Sequence, residues 1–343
     1  MKFNNVVIES MGHALSDESL TSIAIEDRLA PLYQKLKLPE GRLELMTGIT
    51  SRRVWPLGTK PSDLSTMAAE NCLKKSNLSK DKIDLLIHAS VCRDFLEPAT
   101  ASVVHANLGL NRNAMIFDLS NACLGVINAI VVAGNMIENG QIQSALIVSG
   151  ENGGPLLENT INELLTNQSI DRKSIKKYIA NLTIGSAATA ILLTHKNLSP
   201  HSPQILGGAH ETDSSANHLC RGDGNTHSLV METDSEELLK YGVALAQSTW
   251  SKLLHELSWT NETPDFVLTH QVGTAHEKMS LESLELTNKK THRTYPTLGN
   301  TGSSALPITL MMAHDLGLIQ KNDKIALLGI GSGLSSIMLG VQW

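Results

Sequence analysis

Three observations predict an α/β fold built from two related halves. Two pairs of short apolar runs share one spacing, each pair brackets a stretch with helical pattern, and the chain is long for a single core. The first run is Asp84-Leu-Leu-Ile-His-Ala-Ser90, and its counterpart is Asp265-Phe-Val-Leu-Thr-His-Gln271. Each is an apolar run after an aspartate, short enough for a buried strand. The second pair is Ala145-Leu-Ile-Val-Ser-Gly150 and Ala326-Leu-Leu-Gly-Ile-Gly331, and both pairs lie 181 positions apart. One offset held across both pairs points to a duplication. The length of 343 residues agrees, because single cores rarely grow past roughly 250–300 residues. The halves are expected at about 1–200 and 201–343.

The stretch between the first pair runs from Cys123 to Asn139 and closes at Gly140. Between the second pair it runs from about Ser303 to Leu316 and closes at Gly317. A glycine there is a plausible helix stop, and strand–helix–strand at this spacing reads as α/β. The Cys123 helix is apolar nearly all round, so it belongs in the centre of the molecule. Aromatic residues make up only 3%, so the core rests on Leu, Ile, Val, Ala and Met.

Hydrophobic residues make up 41% and charged residues 18%, which fits a globular chain and not a disordered one. A net charge of −6 argues against nucleic-acid binding, which favours a basic face. The start, Met1 to Ile8, has no apolar signal-peptide core, so a cytoplasmic protein is expected. The longest apolar stretch, Ala122 to Ile137, is interrupted by Asn128 and Asn135. It falls short of the ~20 residues of a membrane helix, so no membrane insertion is expected. Cys72, Cys92, Cys123 and Cys220 are scattered without a CxxC pair, which argues against a disulfide framework or a zinc site.

Cys123 carries the chemical interest. The run Ala114-Met-Ile-Phe-Asp118 reads as a strand, so the cysteine sits at a strand-to-helix turn. Unpaired N–H groups and the dipole at a helix start favour a thiolate, and the same N–H groups suit the oxyanion of an acyl intermediate. The competing reading is a buried, inert thiol. His270 ends its strand in the other half, at the position matching Ala89. His270 with His276 lacks a carboxylate at metal-binding spacing. Asn300, in Leu298-Gly-Asn-Thr-Gly-Ser-Ser304, fits an N-cap before a helix or a fixed amide donor. Glu97-Pro98-Ala99-Thr100 looks like a helix start with Pro in the first turn. Glu97 there either complements the helix dipole or acts as a general base. Gly329-Ile-Gly-Ser-Gly333 has too little chain after it for a dinucleotide-binding unit. Its glycines suit close backbone approach to a ligand.

The Asn121-Ala-Cys123 turn, His270-Gln-Val, Gly299-Asn-Thr-Gly and the closing Gly329-Ile-Gly-Ser-Gly333 together resemble the type III ketoacyl-ACP synthase branch of the thiolase superfamily. Gly48-Ile-Thr-Ser-Arg-Arg53, the segment Ser90 to Ser102 and Leu219-Cys-Arg-Gly222 are more similar to that branch's olefin-pathway acyl-CoA condensing enzymes. The resemblance implies a five-layered αβαβα fold, a homodimer, and acyl-CoA as substrate, or acyl-CoA with an acyl-carrier protein. It implies no metal or redox cofactor. It makes Cys123 the acyl acceptor and gives His270 and Asn300 the enolate or carbonyl oxygen. The oxyanion hole falls to the backbone N–H groups of Cys123 and Gly333. Glu97 becomes the base that removes an α-proton, reaching across the dimer.

The implied reaction is a non-decarboxylative Claisen condensation of two acyl-CoA thioesters. The alternatives are a 3-oxoacyl-ACP synthase using malonyl-ACP and a non-catalytic partner subunit, which the intact Cys123, His270 and Asn300 argue against. Two departures bear on specificity. Thr183-Ile-Gly-Ser-Ala-Ala188 replaces the branch's usual Gly-Asp-Gly turn, and a long segment of helical pattern, about 155–181, is placed to cover an acyl pocket.

Overall fold

A computed structural model describes residues 1–223 and 229–343. One nine-stranded sheet organises it, with strands β1 Val6–Ala14, β2 Leu85–His88, β3 Met115–Asp118, β4 Ser144–Glu151, β5 Ala187–His195, β6 Gln204–Thr212, β7 Phe266–Thr269, β8 Lys324–Gly331 and β9 Ser335–Gln342. Their spatial order is β7-β8-β9-β6-β1-β5-β4-β2-β3. The order is two copies of one pattern joined back to back. β2, β4, β5 and β1 correspond to β7, β8, β9 and β6. In both copies the first two strands are parallel and the later ones antiparallel. The copies meet between β1 and β6, through a single registered pair, Val7 with Gln204. β3 has no full counterpart. Where one would lie, the described residues of the second half have only a parallel bridge from Phe266 to Lys290.

The main helices among the described residues are α1 Pro61–Lys75, α2 Thr100–Leu108, α3 Gly125–Glu138, α4 Gly154–Thr166, α5 Ser235–Leu257, α6 Thr274–Ser283 and α7 Ala305–Asp315, and all but α4 pack against these strands. Strand side chains alternate between two cores, as a period of two requires. Leu85 and Ile87 face a central core with α3 and α7, and Leu86 faces an outer core with Leu64, Ala68 and Val104. Phe266 and Leu268 face the same central core, while Val267 faces Ala246, Trp250 and Leu253 of α5. The result is helix, sheet, helix, sheet, helix. The strands β2, β4 and β7 are buried on both faces, which is why they read as continuous, mainly apolar runs.

The shared 181-residue offset holds for β2 and β7 but slips by one in the next pair. Leu85 pairs with Ala145, whereas Phe266 pairs with Ile325, so Ala145 corresponds to Ile325 and not to Ala326. The slip decides facing. Ala145 and Ile325 both point to the central core, and Ala326 points outward, as a one-residue shift in a strand must produce. The aspartates are true equivalents. Asp84 accepts the N–H of Ser144 at 3.2 Å and Asp265 accepts that of Lys324 at 2.9 Å, each pinning the start of the neighbouring strand.

The inserted segment is broken rather than one long helix. α4 ends at Thr166, and the chain returns through short turns at Ser174–Tyr178 and Ile179–Leu182. It packs with the helices near the chain start into a separate apolar cluster of Ile25, Leu29, Leu32, Tyr33, Leu157, Ile161 and Leu164, among others. An Arg28–Glu158 pair at 2.5 Å and the Arg172 guanidinium on the Leu36 and Lys37 carbonyls tie the two parts together. No helix among the described residues is long and apolar enough to cross a membrane.

Candidate active site

The carboxyl ends of the parallel strands deliver the candidate residues to one place. β3 ends at Asp118, and a tight turn carries Cys123 to the start of α3. The helix begins at Gly125, two residues later than the sequence suggests, because the reversal consumes a turn first. Ala122 takes a left-handed conformation there, with φ 46°, a costly one for a residue with a side chain. Asn121 Nδ2 donates to Asn128 Oδ1 at 2.8 Å, locking the turn to the helix it opens.

The thiol does not behave as position alone predicts. Cys123 is half-buried by its surface, yet burial pushes its thiol up to about 12, and nearby Glu151 and then Cys220 push the same way. Its own backbone N–H pulls in the opposite direction and is outweighed. The resting group is a neutral thiol, because desolvation of a thiolate outweighs the helix start.

The second half contributes from the same end. His270 follows β7, and its N–H donates to Leu328 of β8 at 3.0 Å. Burial pushes its imidazole down to about 4, with further repulsion from His276, so His270 is neutral. Its Nδ1 is buried without a hydrogen-bond partner. β8 then runs past the nucleophile turn, and a side chain built at Gly331 would lie 3.6 Å from the Cys123 nitrogen. Gly333, two residues on, has φ 124° and open space where a side chain would project. The Leu334 and Asp213 backbones exchange hydrogen bonds at 3.1 and 2.9 Å and hold that loop.

Asn300 is not an N-cap of α7, whose cap position is Ser304. Its N–H donates to the Thr183 carbonyl and its own carbonyl accepts from Gly185, both at 2.9 Å. Its Oδ1 accepts the Gly302 N–H at 3.1 Å, and its amide NH2 has no hydrogen-bond partner among the described residues. Ser303, just beyond, reaches the first half, with its Oγ 2.8 Å from the Ala89 carbonyl oxygen. A side chain at Gly125 would meet both, 3.1 Å from the Ala89 oxygen and 3.3 Å from Ser303 Cβ. That glycine lets the two halves close over the start of the Cys123 helix.

Glu97 is placed differently. Helix α2 begins at Thr100 after Ala99, so Pro98 lies ahead of the helix rather than in its first turn. Glu97 is exposed on the β2–α2 loop, between Leu96, 90% exposed, and Pro98. Among the described residues it makes no hydrogen bond or ion pair. The loop itself is held at both ends by carboxylates. Glu151 accepts the Val91 and Cys92 N–H groups at 2.9 and 3.2 Å. Asp118 accepts those of Thr100 and Ala101, both at 2.8 Å.

Four supporting residues escaped the sequence reading. Gln271 is buried and bonded at each end. Its amide donates to the Thr269 carbonyl at 2.9 Å, and its oxygen accepts from Thr294 and Tyr295 at 2.9 and 3.2 Å. It therefore fixes His270 relative to the short helical turn Tyr295–Leu298 that leads into Asn300. Arg52 is fully buried on neutral oxygens, Leu20 O and Ser22 Oγ, and burial pushes it down to about 10. Glu151 and Ser303 form the contact between the halves. The signal for Glu151 was present, since an acidic residue closing a mainly apolar strand needs buried partners.

A cavity of roughly 130 Å³ opens between the two parts of the helical cap, lined by Tyr33, Arg42, Met46, Arg172, Lys176 and Ile179 among others. It joins apolar walls to cationic rims.

The comparisons agree with this architecture. Residues 45–196 match the family described as Thiolase, N-terminal domain, and residues 254–343 match 3-Oxoacyl-[acyl-carrier-protein (ACP)] synthase III C terminal. The chain is 38% identical to acyl-CoA:acyl-CoA alkyltransferases of Shewanella oneidensis and of Xanthomonas campestris pv. campestris, with all of each chain covered. It is 29% identical to the β-ketoacyl-[acyl-carrier-protein] synthase III of Caldanaerobacter subterraneus, over 87% of each chain. A crystal structure of X. campestris OleA superposes with a TM-score of 0.95 at 37% identity, covering 100% of this chain and 98% of that one. Another, with lauric acid and lauroyl-CoA bound, gives 0.94 at 37% over 99% and 100%. The chain belongs to the acyl-CoA:acyl-CoA alkyltransferase (OleA) family of thiolase-fold acyltransferases.

Proposed function

We propose that this acyltransferase joins two acyl-CoA thioesters by a non-decarboxylative Claisen condensation. The observation that carries the reading is the placement of the Cys123 turn, neutral His270 and the Asn300 turn at one end of both half-sheets. In the first step the Cys123 sulfur attacks an acyl-CoA carbonyl. The oxyanion is met by backbone N–H groups of Cys123 and Gly333, where fixed donors are most effective. The C–S bond to CoA breaks, and the thiol proton leaves with CoA. In the second step Glu97 takes an α-proton from a second acyl-CoA. Uncharged N–H donors on His270 and Asn300 stabilise the resulting enolate. Its carbon attacks the acyl-cysteine, a C–C bond forms, and the Cys123 sulfur leaves and regains a proton. The product is a 2-alkyl-3-ketoacyl-CoA. The scheme draws on the chain and two thioesters alone, without metal or redox cofactor.

The spacing of residues supports the role of Glu97. The glutamate and cysteine substituted in X. campestris OleA structures are separated by the same number of positions as Glu97 and Cys123. The apolar wall of the cap cavity suits an alkyl chain, while of its cationic residues Lys176 pairs with Glu236 and Arg172 binds the Leu36 and Lys37 carbonyls. Glu97 is exposed within one chain, on a loop with exposed Val91, Phe95 and Leu96, close in sequence to the sheet-edge strand β3 with exposed Met115. This placement supports a homodimer in which Glu97 serves the partner's site. Four unpaired cysteines suit a reducing cytoplasm.

The test supplies a single acyl-CoA and no malonyl donor. Condensed product, an acyl adduct on Cys123 by intact mass, and loss of condensation in Glu97→Ala are expected. Product formed only with malonyl-ACP would make the enzyme a 3-oxoacyl synthase. Absence of any adduct would make it a non-catalytic subunit.

A further inference from the structure

Glu151 is only 3% exposed, ends strand β4, and has no role in the scheme above. Its carboxylate has four donors. Oε1 accepts from the Val91 N–H at 2.9 Å, the Ser303 N–H at 3.1 Å and the Ser303 hydroxyl at 2.5 Å. Oε2 accepts from the Cys92 N–H at 3.2 Å. No cation pairs with it among the described residues. A buried carboxylate is expensive without compensation, and here hydrogen bonds alone supply it.

Those donors come from two places that chemistry must keep in register. Val91 and Cys92 open the loop bearing Glu97. Ser303 belongs to the turn bearing Asn300, and a side chain at Gly302 would touch the Glu151 carboxyl carbon at 3.0 Å. Behind Ser303 lies a buried hydroxyl chain. Ser149 is 2.9 Å from Ser303, 3.0 Å from Ser90 and 2.9 Å from Ser304, which is 3.2 Å from Thr189. Such a network is stiff when every member is satisfied.

We infer that Glu151 is a positioning residue that fixes the Glu97 loop and the Asn300 turn in one register against the start of the Cys123 helix. This rests on the condensation proposed above and deepens it. The carboxylate has a second consequence. Its charge adds to burial in keeping Cys123 a neutral thiol, and it adds likewise to desolvation in raising the thiol of half-buried Cys92. The other titratable groups near this pair are Cys220 on the ribbon Cys220–Asp223, Cys92 and Asp94 on the loop, and His88 and Asp118 at the ends of β2 and β3. Only Glu151 and Cys220 raise the Cys123 thiol beyond the effect of burial.

The test compares Glu151→Gln, Glu151→Asp and Ser303→Ala with the wild type. Two readouts are used: the pH profile of iodoacetamide alkylation of Cys123 by intact mass, and condensation kinetics with one acyl-CoA. Glu151→Gln keeps the shape and removes the charge. Its alkylation curve moves to lower pH, about tenfold faster at a fixed pH, while kcat falls about tenfold and KM is nearly unchanged. Ser303→Ala lowers kcat and leaves the alkylation curve in place. Should Glu151→Gln fail to fold, Glu151→Asp carries the test: the charge stays, the reach shortens, kcat falls and the curve does not move. A Glu151→Gln alkylation curve superimposed on the wild type overturns the inference, as does unchanged condensation in the Glu151 variants. If wild-type enzyme forms no acyl-Cys123, the condensation reading fails, and the alkylation curves still decide the electrostatic role of Glu151.

Discussion

Asp118 accepts the Thr100 N–H at 2.8 Å, so the strand that leads into the Cys123 turn also anchors the helix that follows Glu97. The carboxylate takes the place of a local cap, since Ala99 offers no side-chain oxygen to that helix. Asp118→Ala is expected to cost about 1–2 kcal/mol, the scale of a lost N-cap, read from urea unfolding. Condensation should fall more than acylation of Cys123, because the loop loosens while the thiol stays in place. Equal loss of both steps would contradict this.

The proposed exchange of Glu97 between protomers has a decisive genetic form. Cys123→Ala and Glu97→Ala are each inactive in condensation. Mixed and allowed to exchange, they form heterodimers in which one site has both groups, provided Glu97 acts in trans. About a quarter of wild-type activity should return at random exchange. If the base acts within its own chain, none returns.

His270 links the site to acid stability. Its folded value of about 4 lies below the ordinary 6.5, so it takes up its proton more readily when unfolded. Its stabilising contribution is present above pH 6.5 and is lost as pH falls through about 4. His270→Asn should therefore flatten the decline of unfolding free energy across that window, by an amount on the order of a few kcal/mol, and with it the decline of Tm. Parallel Tm curves for the two proteins would show that the imidazole is not desolvated.

The neutral thiol predicts slow alkylation. Iodoacetamide should modify Cys123 with a rate that still climbs with pH above 9, without a plateau, since the thiol is held up to about 12. A plateau near neutrality would mean a preformed thiolate.

The turn holding Asn300 has no room behind it. A side chain at Gly185 would lie 1.9 Å from the Leu298 carbonyl oxygen and 3.1 Å from Arg52 Cβ. Gly185→Ala should lower stability by about 1–3 kcal/mol and reduce condensation through displacement of Asn300. Wild-type kcat and Tm in this variant would show that the turn tolerates the shift.

Much of this was legible in the chain. The apolar runs after Asp84 and Asp265 gave the strands, because strands buried on both faces leave no polar alternation to confuse them. Residue spacing also brought Cys123 and His270 to one end of the sheet. What spacing cannot carry is register. The step from Ala326 to Ile325 changes which face is buried, yet both are apolar and read alike. Electrostatics were hidden for a related reason. Cys123 at a helix start looks activated until its burial is seen, with Glu151, distant in sequence, adding to it. Asn300 looked like a cap because its neighbours are those of a cap, and the structure gives that position to Ser304. Gln271 and Arg52 contact segments far away in sequence, so nothing local marked them.

The sheet's two outer margins are unlike. β7 has Lys290 alongside it, taking the Val267 N–H at 2.9 Å, whereas β3 is the other end strand and pairs outward with nothing among the described residues. A molecule with one open margin and one occupied can extend its sheet in a single direction. If copies join there edge to edge, growth ends at two, because the joined pair presents only occupied margins. The missing second-half equivalent of β3 would then act as a stop against the open-ended stacking that exposed strands invite.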